Sequence, residues 1–184
     1  MLASGSPRRA EILRAAGWPF EAITAGIDET RRPSEDAVSY VQRLATEKAS
    51  AVAKKLSTGL VLGADTTVVV DDQILGQPLD HEDAHRMIKL LSGRWHQVVT
   101  GVTLLDKEKQ MKQAAHESTL VRFSEMSEEE IDWYANTDEP LDKAGAYAIQ
   151  GMGALFIEEI RGDYFNIVGL PIRLVYELVR NLEV

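Results

Sequence analysis

The sequence predicts a mixed α/β fold. Segments with apolar residues at helical spacing are interspersed with short apolar or alternating segments typical of strands. These segments do not follow the strict strand–helix–strand rhythm of a purely parallel sheet, so we expect a mixed β-sheet with flanking helices. The chain has 184 residues, 45% of them hydrophobic and 27% charged, which suits a single domain over residues 1–184 with a buried core.

The first part of the chain is predicted to alternate strands and helices. Ser6 and Pro7 suit the N-cap and the first position of a helix, because proline there has no N–H that needs an intrahelical partner. The predicted elements are a strand ending at 2–4, a helix from Ser6 to about Gly17, a strand at 20–25, a helix from about Ser34 to Leu56, and a strand at 60–70 interrupted at 63–65.

The rest of the chain is predicted to contain both short strands and amphipathic helices. Asp71-Asp72 suits a hairpin turn, and Ser127-x-x-Glu130 is a capping box that opens a helix. The predicted elements are a strand at 73–75, a helix from Asp80 to Leu91 capped by Asp80, strands at 97–105 and 117–123, a helix through Tyr134, a loop at 137–151, a strand at 154–160 and a final helix from Pro171.

Composition excludes several classes of protein. The net charge of −9 argues against a general nucleic-acid binder, which needs basic side chains to neutralise phosphates. No run of about 18 uncharged apolar residues is present, so we expect no membrane span. The absence of cysteine excludes disulfides and cysteine-based zinc sites. The first residues lack the pattern of a signal peptide, and together these features favour the cytoplasm.

A candidate anion site lies at the first predicted strand-to-helix junction, Ser4-Gly5-Ser6-Pro7-Arg8-Arg9. A helix N-terminus offers unpaired N–H groups and a positive dipole end, and serine hydroxyls and arginines add donors. Residues 1–55 carry 9 Lys and Arg against 7 Asp and Glu, whereas the remainder carries 11 against 22. The segment is therefore either a phosphate cradle or an ordinary capped helix with exposed arginines.

Two charged residues fall where apolar ones are expected. Asp65 interrupts an apolar strand, which is costly unless the carboxylate is paired, protonated or bound to metal. It can act as a base toward water or hold a cation, or it can cap a neighbouring loop. Lys48 falls on the apolar stripe of the second helix, four residues after Leu44. It either extends to the rim of the core or points into a site.

A third candidate segment is residues 140–151, with sequence PLDKAGAYAIQG. Its small residues allow a planar ligand to approach closely, and Tyr147 and Gln150 have side chains that can stack on or hydrogen-bond a base. It can equally be a well-packed turn. His96 is a lone histidine for which we predict a structural role, and the histidines lack the spacing of a zinc site.

Together these segments resemble the Maf family of nucleoside triphosphate pyrophosphatases. The matching strings are residues 2–9 (LASGSPRR), Lys48-Ala49, residues 63–66 (GADT), residues 91–93 (LSG) with His96 and Thr100, residues 142–151, and residues 168–171 (VGLP). They occur in the family's order over nearly the whole chain. The resemblance implies one Maf-like domain with an elongated fold of the Maf or inosine-triphosphatase type, two lobes around a central cleft, and a homodimer.

The same resemblance implies an activity. Family members hydrolyse a nucleoside triphosphate between the α- and β-phosphates, giving the monophosphate and pyrophosphate, with a divalent cation, Mg²⁺ or Mn²⁺. The string at 142–151 resembles the branch that acts on dTTP and UTP, and the branch that acts on 7-methyl-GTP carries a different string. We therefore expect a pyrimidine nucleoside triphosphate as substrate, and no nucleic acid or membrane as partner.

Roles follow from the resemblance position by position. Asp65 resembles the proton acceptor that activates water for attack on the α-phosphate, and Glu29 resembles an acidic residue that, with Asp65, holds metal. Arg8, Thr66 and Gln150 resemble positions tied to specificity. The full set expected to bind substrate is Ser4, Ser6, Arg8, Arg9, Lys48, Thr66, Gln77, Lys143 and Gln150.

The chain departs from the family pattern at Gln77, where relatives usually have lysine. Glutamine can donate a hydrogen bond but supplies no charge. An alternative function is therefore a weakly active or inactive nucleotide-binding regulator of cell division, or a nucleotide-binding module without turnover. Pyrophosphate release from dTTP separates the enzyme from both.

Overall fold

A computed structural model describes residues 1–183 of the chain. In chain order its helices are α1 Pro7–Ala15, α2 Ala37–Ala53, α3 His81–Leu91, α4 Glu128–Ala135, α5 Tyr164–Val168 and α6 Ile172–Glu183. Its strands are β1 Leu60–Val70, β2 Gln73–Leu75, β3 Trp95–Asp106, β4 Met111–Phe123 and β5 Ile157–Arg161. Short 3₁₀ helices span Glu139–Asp142, Ala144–Ala146 and Met152–Phe156.

The five strands form one sheet in the order β2-β1-β3-β4-β5. β1 and β2 are an antiparallel hairpin, joined by Asp71 and Asp72, whose φ angles of 46° and 62° make the predicted tight turn. β4 and β5 are also antiparallel. Leu2 adds single parallel bridges to Ala22 and Leu62. The predicted mixed α/β fold, with a sheet and flanking helices, is confirmed.

The chain divides into two compact units. Unit 1 contains residues 1–66, 100–117 and those from 169 onwards, and unit 2 contains residues 67–99 and 118–168. In unit 1, Ala49, Val52 and Val61 belong to a fully buried cluster shared by α2 and β1. In unit 2, helices α3 and α4 bury their apolar faces in a larger core with Phe123 and Tyr147. A single Maf-like domain over 1–184 stays a prediction.

Several predicted boundaries are wrong. The strand expected at 20–25 is reduced to the one bridge at Ala22. The second helix begins at Ala37 rather than near Ser34, because Asp36 is the N-cap and its carboxylate accepts a hydrogen bond from the N–H of Ser39. β4 begins at Met111, six residues before the predicted start, after a turn in which Asp106 accepts two backbone N–H groups.

The strand β1 runs without interruption through Gly63-Ala64-Asp65, contrary to prediction. A Cβ added at Gly63 would lie 2.2 Å from the carbonyl oxygen of Ala45 and 2.8 Å from the nitrogen of Ala49. Glycine is needed there because the strand backbone packs directly on α2, not because the strand breaks. This close packing sets the position of Asp65 relative to α2.

The other differences concern the last third of the chain. The strand predicted at 154–160 is divided, with a 3₁₀ helix over Met152–Phe156 followed by β5, and α5 was not predicted. The capping box at Ser127 and Glu130 is confirmed, as are the Asp80 cap and the extent of α3. No helix within residues 1–183 is long and apolar enough to span a membrane.

Candidate active site

The centre of the candidate site is a buried pair of opposite charges in unit 1. Asp65 on β1 is 7% exposed and Lys48 on α2 is 9% exposed. The Nζ of Lys48 donates hydrogen bonds to Oδ1 of Asp65 at 2.6 Å and to Oε2 of Glu29 at 2.9 Å. The lysine on the apolar stripe therefore points inward, and the carboxylate in the apolar strand is paired.

Burial determines the protonation behaviour of Asp65. Loss of water raises the pKa of this carboxyl, and the nearby charges of Lys48 and Arg9 only partly oppose the rise. A carboxyl whose pKa is raised holds a proton more readily than an exposed aspartate does, which is the property required of a general base. The geometry is consistent with a proton acceptor at Asp65.

A second cluster surrounds Arg9, in the first turns of α1. Its Nε donates to the carbonyl oxygen of Gly169 at 2.8 Å, its Nη1 to Oγ of Ser4 at 3.1 Å, and its Nη2 to Oγ1 of Thr66 at 3.2 Å. The Oγ1 of Thr66 lies 2.9 Å from that of Thr100. Because Thr66 follows Asp65 in the strand, this cluster is adjacent in sequence to the acidic centre.

Arg9 is buried, and burial lowers the pKa of its guanidinium although Asp65 opposes the change. Its three protein partners fix the plane of the guanidinium. The hydroxyl of Ser6 does not cap α1, and the N–H of Ser6 donates instead to Oγ of Ser4. Arg8 is half-buried beside Arg9. Ser4 thus links Ser6 and Arg9 at the start of α1, and the phosphate site expected there stays a prediction.

The loop that carries Glu29 is held by α2. The hydroxyl of Tyr40 donates to the carbonyl oxygen of Glu29 at 3.0 Å, and Nη2 of Arg43 donates to that of Thr30 at 3.1 Å. Arg43 also forms a two-pronged pair with Glu35, which lowers the pKa of that carboxyl to about 2. The sequence did not identify Tyr40 or Arg43 as part of the site. Their spacing on α2 was the available signal, because they are one helical turn apart and Tyr40 lies eight residues, about two turns, before Lys48.

The remaining predicted residues lie in unit 2. The Nε2 of Gln77 donates to the carbonyl oxygen of Asp142 at 3.2 Å, and Nζ of Lys143 donates to the carbonyl oxygen of Glu139 at 2.8 Å and pairs with the Asp142 carboxylate. Gln77 and Lys143 thus meet at one short segment of chain. Gln150 is exposed on the next turn.

Tyr147 is not available to stack on a ligand. It is 5% exposed, its ring packs edge-on against Phe123 and His96, and its hydroxyl lies 2.8 Å from Nε2 of His96. The suggestion that Tyr147 contacts a base is therefore wrong, because its ring belongs to the buried core of unit 2. The structural role predicted for His96 agrees with this burial.

Two acidic residues, Glu29 and Asp65, lie where a divalent cation could bind between them and a triphosphate. Within residues 1–183 no group of three His, Cys, Asp or Glu side chains could hold a metal ion. Glu29 and Asp65 nevertheless share the ammonium group of Lys48, so two carboxylates are directed at one cation. Mg²⁺ is commonly held by one or two carboxylates with substrate phosphates and water completing its shell. The pair fits that mode of binding.

The chain is a mixed α/β protein with a buried aspartate–lysine pair and two arginines in the first turn of α1. This arrangement suits an enzyme that acts on an anionic substrate. The family model described as Maf-like protein matches residues 1–182, and the chain therefore belongs to that family. The predicted family resemblance is confirmed.

Several relatives are identical to the chain at about half of the aligned positions, over nearly its whole length. A protein of Bacillus cytotoxicus named dTTP/UTP pyrophosphatase is 52% identical over 179 residues, covering 97% of this chain and 93% of its own. Proteins of the same name from Syntrophus aciditrophicus and Symbiobacterium thermophilum are each 48% identical and cover 99% and 97% of this chain, and 89% and 91% of their own.

Proposed function

We propose that the chain hydrolyses dTTP and UTP to the nucleoside monophosphate and pyrophosphate. The observation that carries this proposal is Asp65, a buried carboxylate in an apolar strand, bonded at 2.6 Å to the ammonium of Lys48. The name dTTP/UTP pyrophosphatase, shared by the relatives from three genera, supports the choice of substrate.

In the proposed reaction, Asp65 accepts a proton from water as the water oxygen forms a bond to the α-phosphorus. The bond from the α-phosphorus to the oxygen bridging to the β-phosphate breaks, and pyrophosphate leaves with that oxygen. The raised pKa of Asp65 supports its role as the proton acceptor. Lys48, freed from Glu29 or Asp65, would offset the negative charge that develops on the phosphate.

Phosphate binding is proposed for the cluster at the start of α1. Ser4, Ser6, Arg8 and Arg9 place hydroxyls and guanidinium groups at a helix N-terminus, where phosphate is favoured. Arg9 is already held by three protein groups, so it needs little reorganisation when it meets a ligand. Thr66, bonded to Arg9, is proposed to share in substrate selection.

Glu29 and Asp65 would hold the divalent cation, Mg²⁺ or Mn²⁺, that the family resemblance implies. When bound, such a cation neutralises charge on the triphosphate. Tyr40 and Arg43 would keep the loop of Glu29 in place for this contact. Isothermal titration of the protein with Mn²⁺ should show weaker binding after Glu29→Gln.

Pyrimidine selection is proposed for the segment at 142–151, with Gln150 as the residue that hydrogen-bonds the base. Gln77 and Lys143, which both contact the chain around Asp142, are proposed to bind substrate from the same unit. A cytoplasmic homodimer and a lack of nucleic-acid and membrane partners stay predictions of the sequence.

A panel of nucleotides tests the proposed function. Pyrophosphate release is measured for dTTP, UTP, CTP, ATP and 7-methyl-GTP with Mg²⁺ and with Mn²⁺. We expect dTTP and UTP to be cleaved and the purine nucleotides to be poor substrates. Equal rates for ATP and dTTP, or a preference for 7-methyl-GTP, would contradict the proposed substrate. Tight binding of dTTP without pyrophosphate release would favour the non-catalytic alternative that Gln77 suggests.

A further inference from the structure

One carboxylate in unit 2 accepts hydrogen bonds from three donors. Glu139 receives the hydroxyl of Tyr134 at 2.8 Å and the backbone N–H groups of Met152 and Gly153, each at 2.9 Å. Burial raises the pKa of this carboxyl, but the two N–H groups and the hydroxyl more than compensate and lower it overall. Glu139 is therefore a charged acceptor, and charge-assisted hydrogen bonds are about twice as strong as neutral ones.

The hydroxyl of Tyr134 ties the other end of the same segment. It accepts the N–H of Ala148 at 3.2 Å while donating to Glu139. Tyr134 is fully buried, and burial raises the pKa of its phenol, so the hydroxyl keeps its proton. The backbone is consequently held at Ala148, at Met152 and at Gly153. Gln150 lies between these fixed points, with its side chain exposed.

Two glycines make room for this arrangement. A Cβ on Gly151 would lie 1.9 Å from Oε2 of Glu139, and one on Gly153 would lie 2.7 Å from the hydroxyl of Tyr134. Any side chain at Gly151 would displace the Glu139 carboxylate. Gly151 and Gly153 are therefore explained by the approach of Glu139 and Tyr134 to the backbone, rather than by a ligand that needs the space.

We propose that Glu139 is a positioning residue that fixes Gln150 for its contact with the pyrimidine base. The inference rests on the proposed role of Gln150 in selecting the base. A side chain on a fixed backbone loses little freedom on binding, and a misplacement of about 1 Å can cost about a hundredfold in rate. In this proposal Glu139 does not contact the substrate. It acts by holding the backbone at Met152 and Gly153, just after Gln150 in the chain.

The test compares Glu139→Gln with Glu130→Gln. Glu130 is also a glutamate whose carboxylate accepts a backbone N–H, that of Ser127, but it belongs to the capping box of α4. Glu139→Gln replaces one acceptor oxygen with an NH₂ group that cannot pair with an N–H donor. We expect the ratio of kcat/KM for dTTP to that for ATP to fall about tenfold in Glu139→Gln, mainly through KM for dTTP, and to be unchanged in Glu130→Gln.

A purely structural role predicts a different result. Loss of stability alone would reduce the rates for all nucleotides together and leave the dTTP to ATP ratio unchanged, and that outcome would overturn the proposal. Tyr134→Phe, which removes the hydroxyl and both of its hydrogen bonds, should lower the ratio in the same direction. It provides a second variant should Glu139→Gln fold poorly.

Gln150→Ala and the double variant Glu139→Gln/Gln150→Ala complete the test. If Glu139 acts through Gln150, the double variant should show no greater loss of selectivity than Gln150→Ala alone. An unchanged ratio in Gln150→Ala would overturn the proposed base contact, and this inference with it. A lowered ratio in Gln150→Ala with an unchanged ratio in Glu139→Gln would overturn this inference alone. Dissociation constants for dTTP and ATP, measured in the Asp65→Asn background, give the same comparison without turnover.

Discussion

Replacing Asp65 with asparagine separates the chemistry of the buried pair from its packing. The asparagine side chain has the same shape and keeps one oxygen that can accept a hydrogen bond from Lys48. In the wild type, Nζ of Lys48 lies 2.6 Å from Oδ1 of Asp65. It loses the ability to take a proton from water. Loss of a positioned general base typically costs about 10²–10⁴-fold in rate, equivalent to about 3–5 kcal/mol of activation free energy. We expect kcat for dTTP to fall by that factor.

The same change should not destabilise the fold at neutral pH. Burial raises the pKa of Asp65 more than Lys48 and Arg9 lower it. Stability from a group with a raised pKa is present at low pH and lost as the pH rises through the folded-state pKa, because the folded state binds the extra proton. Asparagine is neutral at every pH and avoids this loss. The free energy of unfolding of the variant at about pH 7 should equal or exceed that of the wild type.

The control is Asp106→Asn, the same substitution in a turn of unit 1 where the carboxylate accepts two backbone N–H groups. It should leave kcat for dTTP unchanged. Steady-state kinetics and urea denaturation of both variants provide the comparison. An Asp65→Asn enzyme that keeps more than half of the wild-type kcat would refute the assignment of Asp65 as the base.

Three further results are expected. Gln77→Lys should raise kcat/KM for dTTP about tenfold, because an ammonium group would stabilise the negative charge that develops on the phosphate. An unchanged kcat/KM would show that residue 77 does not contribute to catalysis. Burial lowers the pKa of His96 from 6.5, its value in the unfolded chain, to about 4. Between these two pH values the unfolded state binds more protons than the folded state does. Acidification from pH 6.5 to 4 should therefore lower the free energy of unfolding by about 3 kcal/mol. Urea denaturation across this range should show a smaller loss in His96→Gln. Gly63→Ala should lower the unfolding free energy by about 1–3 kcal/mol, because its Cβ meets the Ala45 carbonyl, whereas Gly76→Ala, with open space around it, should not.

The order of elements was predictable because local signals govern it. The Asp80 cap, the Ser127 capping box and the Asp71-Asp72 turn each depend on residues within four positions of one another. The strand predicted at 20–25 was wrong because isolated apolar character does not supply a pairing partner along its length. Gly63 was misread as a break for a similar reason, since its cause is the backbone of α2 and not its own neighbours.

The candidate site was predictable in its charged residues and not in what holds them. Lys48 and Asp65 stood out because charge on an apolar face requires an explanation, and the structure pairs them. Tyr40, Arg43 and Glu139 sit at ordinary polar positions, and their contacts to the backbones of Glu29, Thr30 and Gly153 join distant parts of the sequence. Only folded geometry reveals such contacts.

The central claim is that water attacks the α-phosphorus of the nucleotide, as the proposed reaction requires. The most direct measurement is hydrolysis of dTTP in water enriched in the heavy oxygen isotope, with mass spectrometry of both products. The account predicts that one heavy oxygen appears in the dTMP and none in the pyrophosphate. Label in the pyrophosphate, or formation of dTDP and orthophosphate, would contradict it.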